Sequence, residues 1–225
     1  MAWRRGLRYG VGAAIEHDAF FRNRHFNTIV DVGGNRGQFV LVMKKNFPKA
    51  KVFSFEPLNK PFKKFNQLFA NDNSVVAFNA AIGPTKGVAE IHVSARDDSS
   101  SLLPISDLQN EMFPGTSAVS KESIDTGPLS QFVKGSQIIS PALLKLDVQG
   151  FELNALIGCN DLIHKFDMVY CECSFVELYV GQALAADIIN YMNERSFVLR
   201  GFNNAAYDLQ GNTVQADFVF VKSKI

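Results

Sequence analysis

Five carboxylates stand where short apolar runs end or where helices begin. Asp31 lies in Thr28-Ile29-Val30-Asp31-Val32, just before the turn Gly33-Gly34-Asn35-Arg36-Gly37. Glu56 closes the run Lys51–Phe55, Asp147 follows Leu143–Leu146, and Glu172 sits late in Met168–Ser174. Glu152 falls on the first turn after Gly150. Paired carboxylates of this kind can orient and deprotonate a hydroxyl, or hold a divalent cation that lowers its pKa. Asp147 stands out, because an acid directly ending an apolar strand is costly unless it is used or paired. Glu152 also fits a plainer role, that of an acid favoured by the dipole at its own helix start. Lys145, inside Leu143-Leu144-Lys145-Leu146, reads first as a structural partner for a nearby carboxylate.

The glycine turn lets the backbone bend sharply and approach a ligand without side-chain obstruction. A helix starting near Arg36 would add unpaired N–H groups. The spacing departs from the dinucleotide pattern G-x-G-x-x-G, which needs glycine at Asn35 and at Gln38. Glu56 follows Asp31 at the next strand end, where a doubly wound sheet meets a ribose and a carboxylate accepts both hydroxyls. An adenosine with a cationic amino-acid tail suits two carboxylates better than a pyrophosphate does.

The elements that must carry these residues alternate regularly. Strands are expected at Thr28–Val32, Lys51–Phe55, Ser74–Phe78, Ala142–Asp147 and Met168–Ser174, with helices at Gln38–Phe47, Lys60–Ala70, Phe151–Ile157 and Ala183–Glu194. Gly87–Ser94 alternates as a solvent-facing strand and is expected to pair near Ala80–Ile82. Phe197–Arg200 and Ala216–Lys222 close the chain around a turn at Gln210-Gly211-Asn212. Residues 95–127, rich in Ser, Asp, Pro and Gly, read as a long loop insertion of the lid type. The pattern predicts an α/β fold: a Rossmann-like three-layer sandwich whose mostly parallel, doubly wound sheet has an antiparallel C-terminal strand. Residues 1–27 form an N-terminal helical segment before a single domain at 28–225.

The 23 basic and 22 acidic residues among 225 leave a net charge of +1, which argues against a whole-protein footprint for nucleic acid. Arg4, Arg5, Arg8, Arg22 and Arg24 make a local basic patch without an aromatic platform. No apolar run reaches the length of a transmembrane helix. Three cysteines and no secretory leader predict reduced thiols and a cytoplasmic location. Cys171 and Cys173 read as buried strand residues, and His17, His25, His92 and His164 show no metal-ligand spacing.

DVGGNRGQF, FEP and NAAIG, followed by LLKLDVQGFELNALIG, together resemble the FkbM-type family of S-adenosylmethionine-dependent methyltransferases from about Thr28 to Phe175. The resemblance implies a class I methyltransferase fold with S-adenosylmethionine as cofactor. It places Asp31, Gly33, Asn35 and Gly37 around the methionine portion, Glu56 with Pro57 at the ribose, and Asn79, Ala80 and Ala81 by the adenine. Asp147, Glu172 and Glu152 then stand at the reacting end. Two positions depart from the family's usual residues: Gly34 replaces Ala, and Gln149 replaces Glu. The implied reaction is O-methylation of a small-molecule or carbohydrate hydroxyl. An NAD-linked oxidoreductase and a non-catalytic cofactor-binding subunit are the competing readings. A divalent metal, the acceptor and the oligomeric state stay open.

Overall fold

The computed structural model describes residues 2–223; Met1, Lys224 and Ile225 lie outside it, as do the side chains of Ala2, Trp3 and Arg4. Arg4's share in the basic patch therefore falls outside the described residues. Two helices, α1 (Ala2–Arg8) and α2 (Asp18–Phe21), precede strand β1 (Thr28–Val32). The chain then winds outward through α3 (Gln38–Asn46), β2 (Lys51–Phe55), α4 (Asn59–Phe69) and β3 (Val75–Phe78). After an insertion it returns as β7 (Ala142–Leu146), α7 (Glu152–Gly158), β8 (Met168–Ser174), α8 (Ala185–Asn193), β9 (Phe197–Tyr207) and β10 (Thr213–Lys222).

The seven-stranded sheet has the order β3-β2-β1-β7-β8-β10-β9. Its first five strands are parallel, and β10 runs antiparallel to both β8 and β9. Every residue of β1 and β7 is buried, as expected of central parallel strands covered on both faces. Alternate residues feed two cores. Val30, Val32, Leu144 and Leu146 face the side of α7 and α8, while Ile29, Leu143, Tyr170 and Val219 face α3 and the N-terminal segment. Phe21 and Phe26 join that second core, packing edge-on with Tyr170 and Phe47. Strand order reverses between β1 and β7, so the crevice at their carboxyl ends is where an open α/β sheet binds a ligand.

The segment expected as a loop is folded. It contains α5 (Asp107–Met112) and the ten-residue strand β6 (Ala118–Gly127), followed by the short helix α6 (Leu129–Phe132). β6 is the centre of a second sheet, β4-β6-β5, with β4 at Ala81–Ile82 and β5 at Gly87–Ser94. The expected pairing of β5 with residues 80–82 is thus corrected: both strands pair with β6 instead. β6 carries no readable alternation because most of it is exposed, with Ile124 its one buried large apolar side chain. Leu103, Ile105, Leu108, Met112 and Phe113 pack on Leu178, Tyr179 and Val214, which fastens the insertion over the end of β8. The last two strands also run longer than the sequence pattern showed, beginning at Thr213 for β10 and ending at Tyr207 for β9.

Candidate active site

Strand register brings a polar row together on one face of the sheet. Asp31 lies opposite Ser54 on β2 and opposite Lys145 on β7, and Lys145 lies opposite Tyr170 on β8. One strand further, Asp217 on β10 faces Glu172. The row sits beneath a cavity of about 500 Å³, within the range of small-molecule and cofactor sites.

Lys145 is the hub. Its Nζ donates to the Gly33 carbonyl at 3.2 Å and to Asp147 Oδ2 at 3.3 Å, and lies 3.5 Å from Asp31 Oδ1. Burial opposes its charge, but the carboxylates of Asp147 and Asp31 hold its pKa above the ordinary lysine value. Asp31 is fully buried and also accepts from Ser54 Oγ at 2.8 Å, so it lies under the cavity rather than on its wall.

The glycine turn is bonded mainly to the end of β2. Gly33 and Gly34 both donate to the Phe55 carbonyl, Asn35 donates to Glu56 Oε2, and Gly37 donates to the Gly34 carbonyl. Arg36 N–H is taken by Asn35 Oδ1 and Gln38 Oε1. The helix begins at Gln38, where the apolar pattern starts it, with Gly37 as its left-handed cap, so the Arg36 N–H belongs to the turn and is not free. A Cβ on Gly33 would lie 1.8 Å from the Asp147 carbonyl oxygen, so β1 and β7 meet this closely only with glycine there. Gly34, the departure noted above, has Ser54 Oγ where its Cβ would be.

Glu56 lines the cavity while its carboxylate accepts from Asn35 N–H and Leu58 N–H, each at 2.8 Å. Burial pushes its pKa up to about 7, against the pull of those two N–H groups. Pro57, Ala80, Ala81, Gly33 and Asn35 share the cavity wall. Asn79 does not; its amide is spent on the carbonyls of Glu56 and Pro57 and so fixes the loop after β2.

Of the three carboxylates expected at the reacting end, Asp147 alone lines the cavity. Lys145 and Gln149 Nε2, the latter at 2.8 Å from Oδ1, hold it ionised below the usual range despite burial. Glu152 turns back under the loop and accepts from Val148 N–H at 2.9 Å and Gly150 N–H at 3.2 Å. Its burial raises its pKa to about 7. Glu172 lies behind Gln149, taking Gln149 Nε2 at 3.0 Å and Gln215 Nε2 at 3.1 Å. Burial, and then the charges of Asp147 and Asp217, push it well above an ordinary carboxyl.

Gln149 therefore does what a glutamate could not: its amide donates to two carboxylates at once. Its Oε1 accepts from the Tyr179 hydroxyl at 2.7 Å, and its backbone carbonyl accepts from Ser101 Oγ at 2.6 Å. The insertion is thereby tied to the rim of the site. Tyr170, Tyr179 and Asp217 are not singled out by the sequence pattern, and His17 is one of four scattered histidines that could serve as a base without any spacing to mark it. For Tyr170 and Asp217 the signal was a polar group inside an otherwise apolar strand.

Comparison with known proteins settles the family. The model of the methyltransferase FkbM domain matches residues 31–199. The chain belongs to that family. It is 29% identical over 145 residues to Methyltransferase 1 of Beauveria bassiana, covering 59% of this chain and 58% of that protein. It is 27% identical over 165 residues to the 2-O-methyltransferase NoeI of Sinorhizobium fredii, covering 68% of this chain and 66% of the relative. The matches thus span less than two thirds of either relative. In fold, the FkbM domain is similar to an rRNA methylase from Streptococcus thermophilus, with a TM-score of 0.52 and 10% identity over 92% of this chain and 94% of that one. It is also similar to a chain of the fibrillarin/Nop5p complex, with a TM-score of 0.51 and 9% identity over 99% and 83% of the two chains. These likenesses establish a class I methyltransferase architecture. Among the described residues, no helix is long and apolar enough to cross a membrane, and no group of three or more His, Cys, Asp or Glu is placed to hold a metal ion.

Proposed function

We propose that this FkbM-family chain transfers a methyl group from S-adenosylmethionine to a hydroxyl of a small molecule or sugar. The observation that carries the reading is the charge of the cavity. Its wall bears Glu16, Glu56, Asp97, Asp98 and Asp147; Asp97 and Asp98 are paired with Arg36 and Arg96, and the Lys145 ammonium is already committed to Asp31 and Asp147, so Glu16 and Glu56 are left to face a ligand's positive charge. Such a lining favours a cationic ligand and repels a pyrophosphate. The N–H groups of Gly33 to Gly37 that would cradle a phosphate are already bonded, to Phe55, to Glu56 and within the turn, so an NAD-linked oxidoreductase fits poorly.

In this reading Glu56 accepts the ribose hydroxyls, and Pro57, Ala80 and Ala81 border the adenine end. Gly33 and Asn35 line the methionine portion, with Asp31 and Gly37 shaping the turn behind them and Asn79 holding the loop. Asp147 faces the reacting end, while Glu172 and Glu152 hold Gln149 and Val148 in place. The cofactor supplies a methyl on a sulfonium with a good leaving group, so alignment of the acceptor oxygen at roughly 3 Å provides much of the rate. The hydroxyl class is supported by the 2-O-methyltransferase among the relatives.

Calorimetric titration with S-adenosylmethionine, S-adenosylhomocysteine and NAD in parallel tests the cofactor. Binding of the first two without NAD is expected, and binding of NAD alone overturns the reading. Transfer of labelled methyl to a panel of methyl glycosides with a free 2-hydroxyl then tests the acceptor class. A protein that binds the cofactor yet methylates none of them is not a sugar O-methyltransferase.

A further inference from the structure

Transfer to a hydroxyl leaves one proton to be removed, and Asp147 is poorly suited to take it. Both its oxygens are engaged, by Lys145 and Gln149, and a carboxylate stabilised in that way is a weak base. The N-terminal segment brings a better one to the same cavity. Gly12, Ala13, Ala14, Glu16 and His17 line its wall together with Gly33 and Asp147.

His17 sits against the far end of the polar row. Its ring packs edge-on to Phe39 at 5.3 Å and to Tyr170 at 5.6 Å, and its side chain keeps 12% exposure. Two acceptors face Nδ1: the Tyr170 oxygen at 3.1 Å and Asp217 Oδ2 at 3.6 Å. The Tyr170 hydroxyl hydrogen is itself committed to Asp217 at 3.0 Å, while Asn204 Nδ2, 3.1 Å from Nδ1, donates one hydrogen to Asp217 at 2.7 Å and has the Tyr170 oxygen at 3.3 Å for the other. A proton on Nδ1 meets the Tyr170 and Asp217 acceptors and leaves Nε2 bare, and that tautomer is the one inferred from the network. Nε2 lies 3.7 Å from the Glu16 carboxylate, which also lines the cavity.

We propose that His17 is the base that removes the acceptor's proton, with Asp217 and Tyr170 as positioning residues that fix its tautomer; the inference rests on the hydroxyl reading above. The acceptor O–H bond breaks and its proton passes to Nε2. The oxygen's electron pair forms the new O–C bond, and the S–C pair stays on sulfur to give the thioether. Asp217 and Glu16 then face the imidazolium and stabilise it. Burial keeps the free imidazole below its ordinary pKa, opposed by Asp217 and Glu16 and reinforced by the Lys145 ammonium, with Asp147 adding a smaller upward pull. The ring is accordingly neutral, and able to accept, near pH 7.

The test uses the whole chain and the His17→Gln, His17→Ala and Asp217→Asn variants. In the protein alone, imidazole 15N NMR is expected to show the proton on Nδ1, and Asp217→Asn is expected to lower the midpoint of the His17 titration. A neutral ring protonated on Nε2 overturns the inference. His17→Gln is expected to bind S-adenosylhomocysteine within threefold of the parent and to transfer methyl to the glycoside probes at least hundredfold more slowly, losing the rise of kcat/KM with pH. Added imidazole is expected to restore His17→Ala. Transfer by His17→Gln at the parental rate and pH dependence overturns the role of His17 alone. No transfer by the parent to any hydroxyl probe, with the cofactor bound, overturns the hydroxyl reading and this inference with it.

Discussion

Replacing Glu56 with glutamine tests the cofactor assignment at its most sensitive point. The carboxylate is buried, accepts two backbone N–H groups at 2.8 Å, and has a pKa near 7 in the free protein. Near pH 7 it is therefore about half protonated. Ribose hydroxyls donate best to the ionised form, so binding must expel the proton wherever the group carries one. The sign follows directly: affinity is full above pH 8 and weakens by about tenfold, or 1.36 kcal/mol, for each pH unit well below 7. The neutral amide loses a charge-assisted bond, expected to cost on the order of 1–3 kcal/mol at pH 8. At pH 6 the parent has already lost about 1.4 kcal/mol, so the two proteins should nearly converge. Calorimetry with S-adenosylhomocysteine from pH 5.5 to 8.5, in buffers of different ionisation enthalpy, reads affinity and proton release together. A parent whose affinity is flat over that range with no proton released, or a Glu56→Gln protein that binds equally well at pH 8, would refute the ribose assignment.

Three further outcomes follow from the same geometry. Glu152→Gln should stabilise the fold at pH 7.5 by as much as about 3 kcal/mol, because a carboxyl raised from about 4.5 to about 7 loses stability as pH climbs between those values; urea unfolding at pH 7.5 and pH 4 should show the gain at the former and none at the latter. Lys145→Met removes, among the described residues, the one cation within 4 Å of the fully buried Asp31 and should cost about 3–5 kcal/mol; a Tm within a degree or two of the parent would contradict the hub role. Tyr179→Phe frees Gln149 Oε1 and should speed amide hydrogen exchange around Ser99–Ser101 while leaving β1 and β7 protected; unchanged exchange there would mean the Tyr179 hydroxyl does not hold the insertion.

The sheet was legible in the sequence because its central strands are buried on both faces. Continuous apolar runs such as Thr28–Val32 and Ala142–Leu146 have no other economical reading. The carboxylates at their ends were legible for the same reason, since an acid beside such a run is out of place. The insertion was not. β6 gains its place through hydrogen bonds to β5 and β4, and its exposed side chains leave no period to detect. α5 did leave a trace, the Ser106 cap three residues before Gln109, with Leu108 and Met112 on one side. That trace was hidden by the surrounding Ser, Asp and Pro. The direction in which each acid points was equally out of reach. The bend after β7 turns Asp147 toward the cavity and Glu152 under the loop, while Glu172 points from β8 to the back of Gln149.

The departure at Gln149 bears on how the site works. A glutamate there would set a third carboxylate within hydrogen-bonding distance of Asp147 and Glu172, close enough that one of them would have to stay protonated. Glutamine instead donates to both with one nitrogen and accepts from Tyr179 with its oxygen, so every polar atom of its side chain is engaged. The substitution therefore stiffens the rim and removes position 149 from proton transfer. The proton must then leave by a group on another element, and the N-terminal segment, packed against Phe39 and Tyr170, supplies the neutral imidazole that faces the cavity.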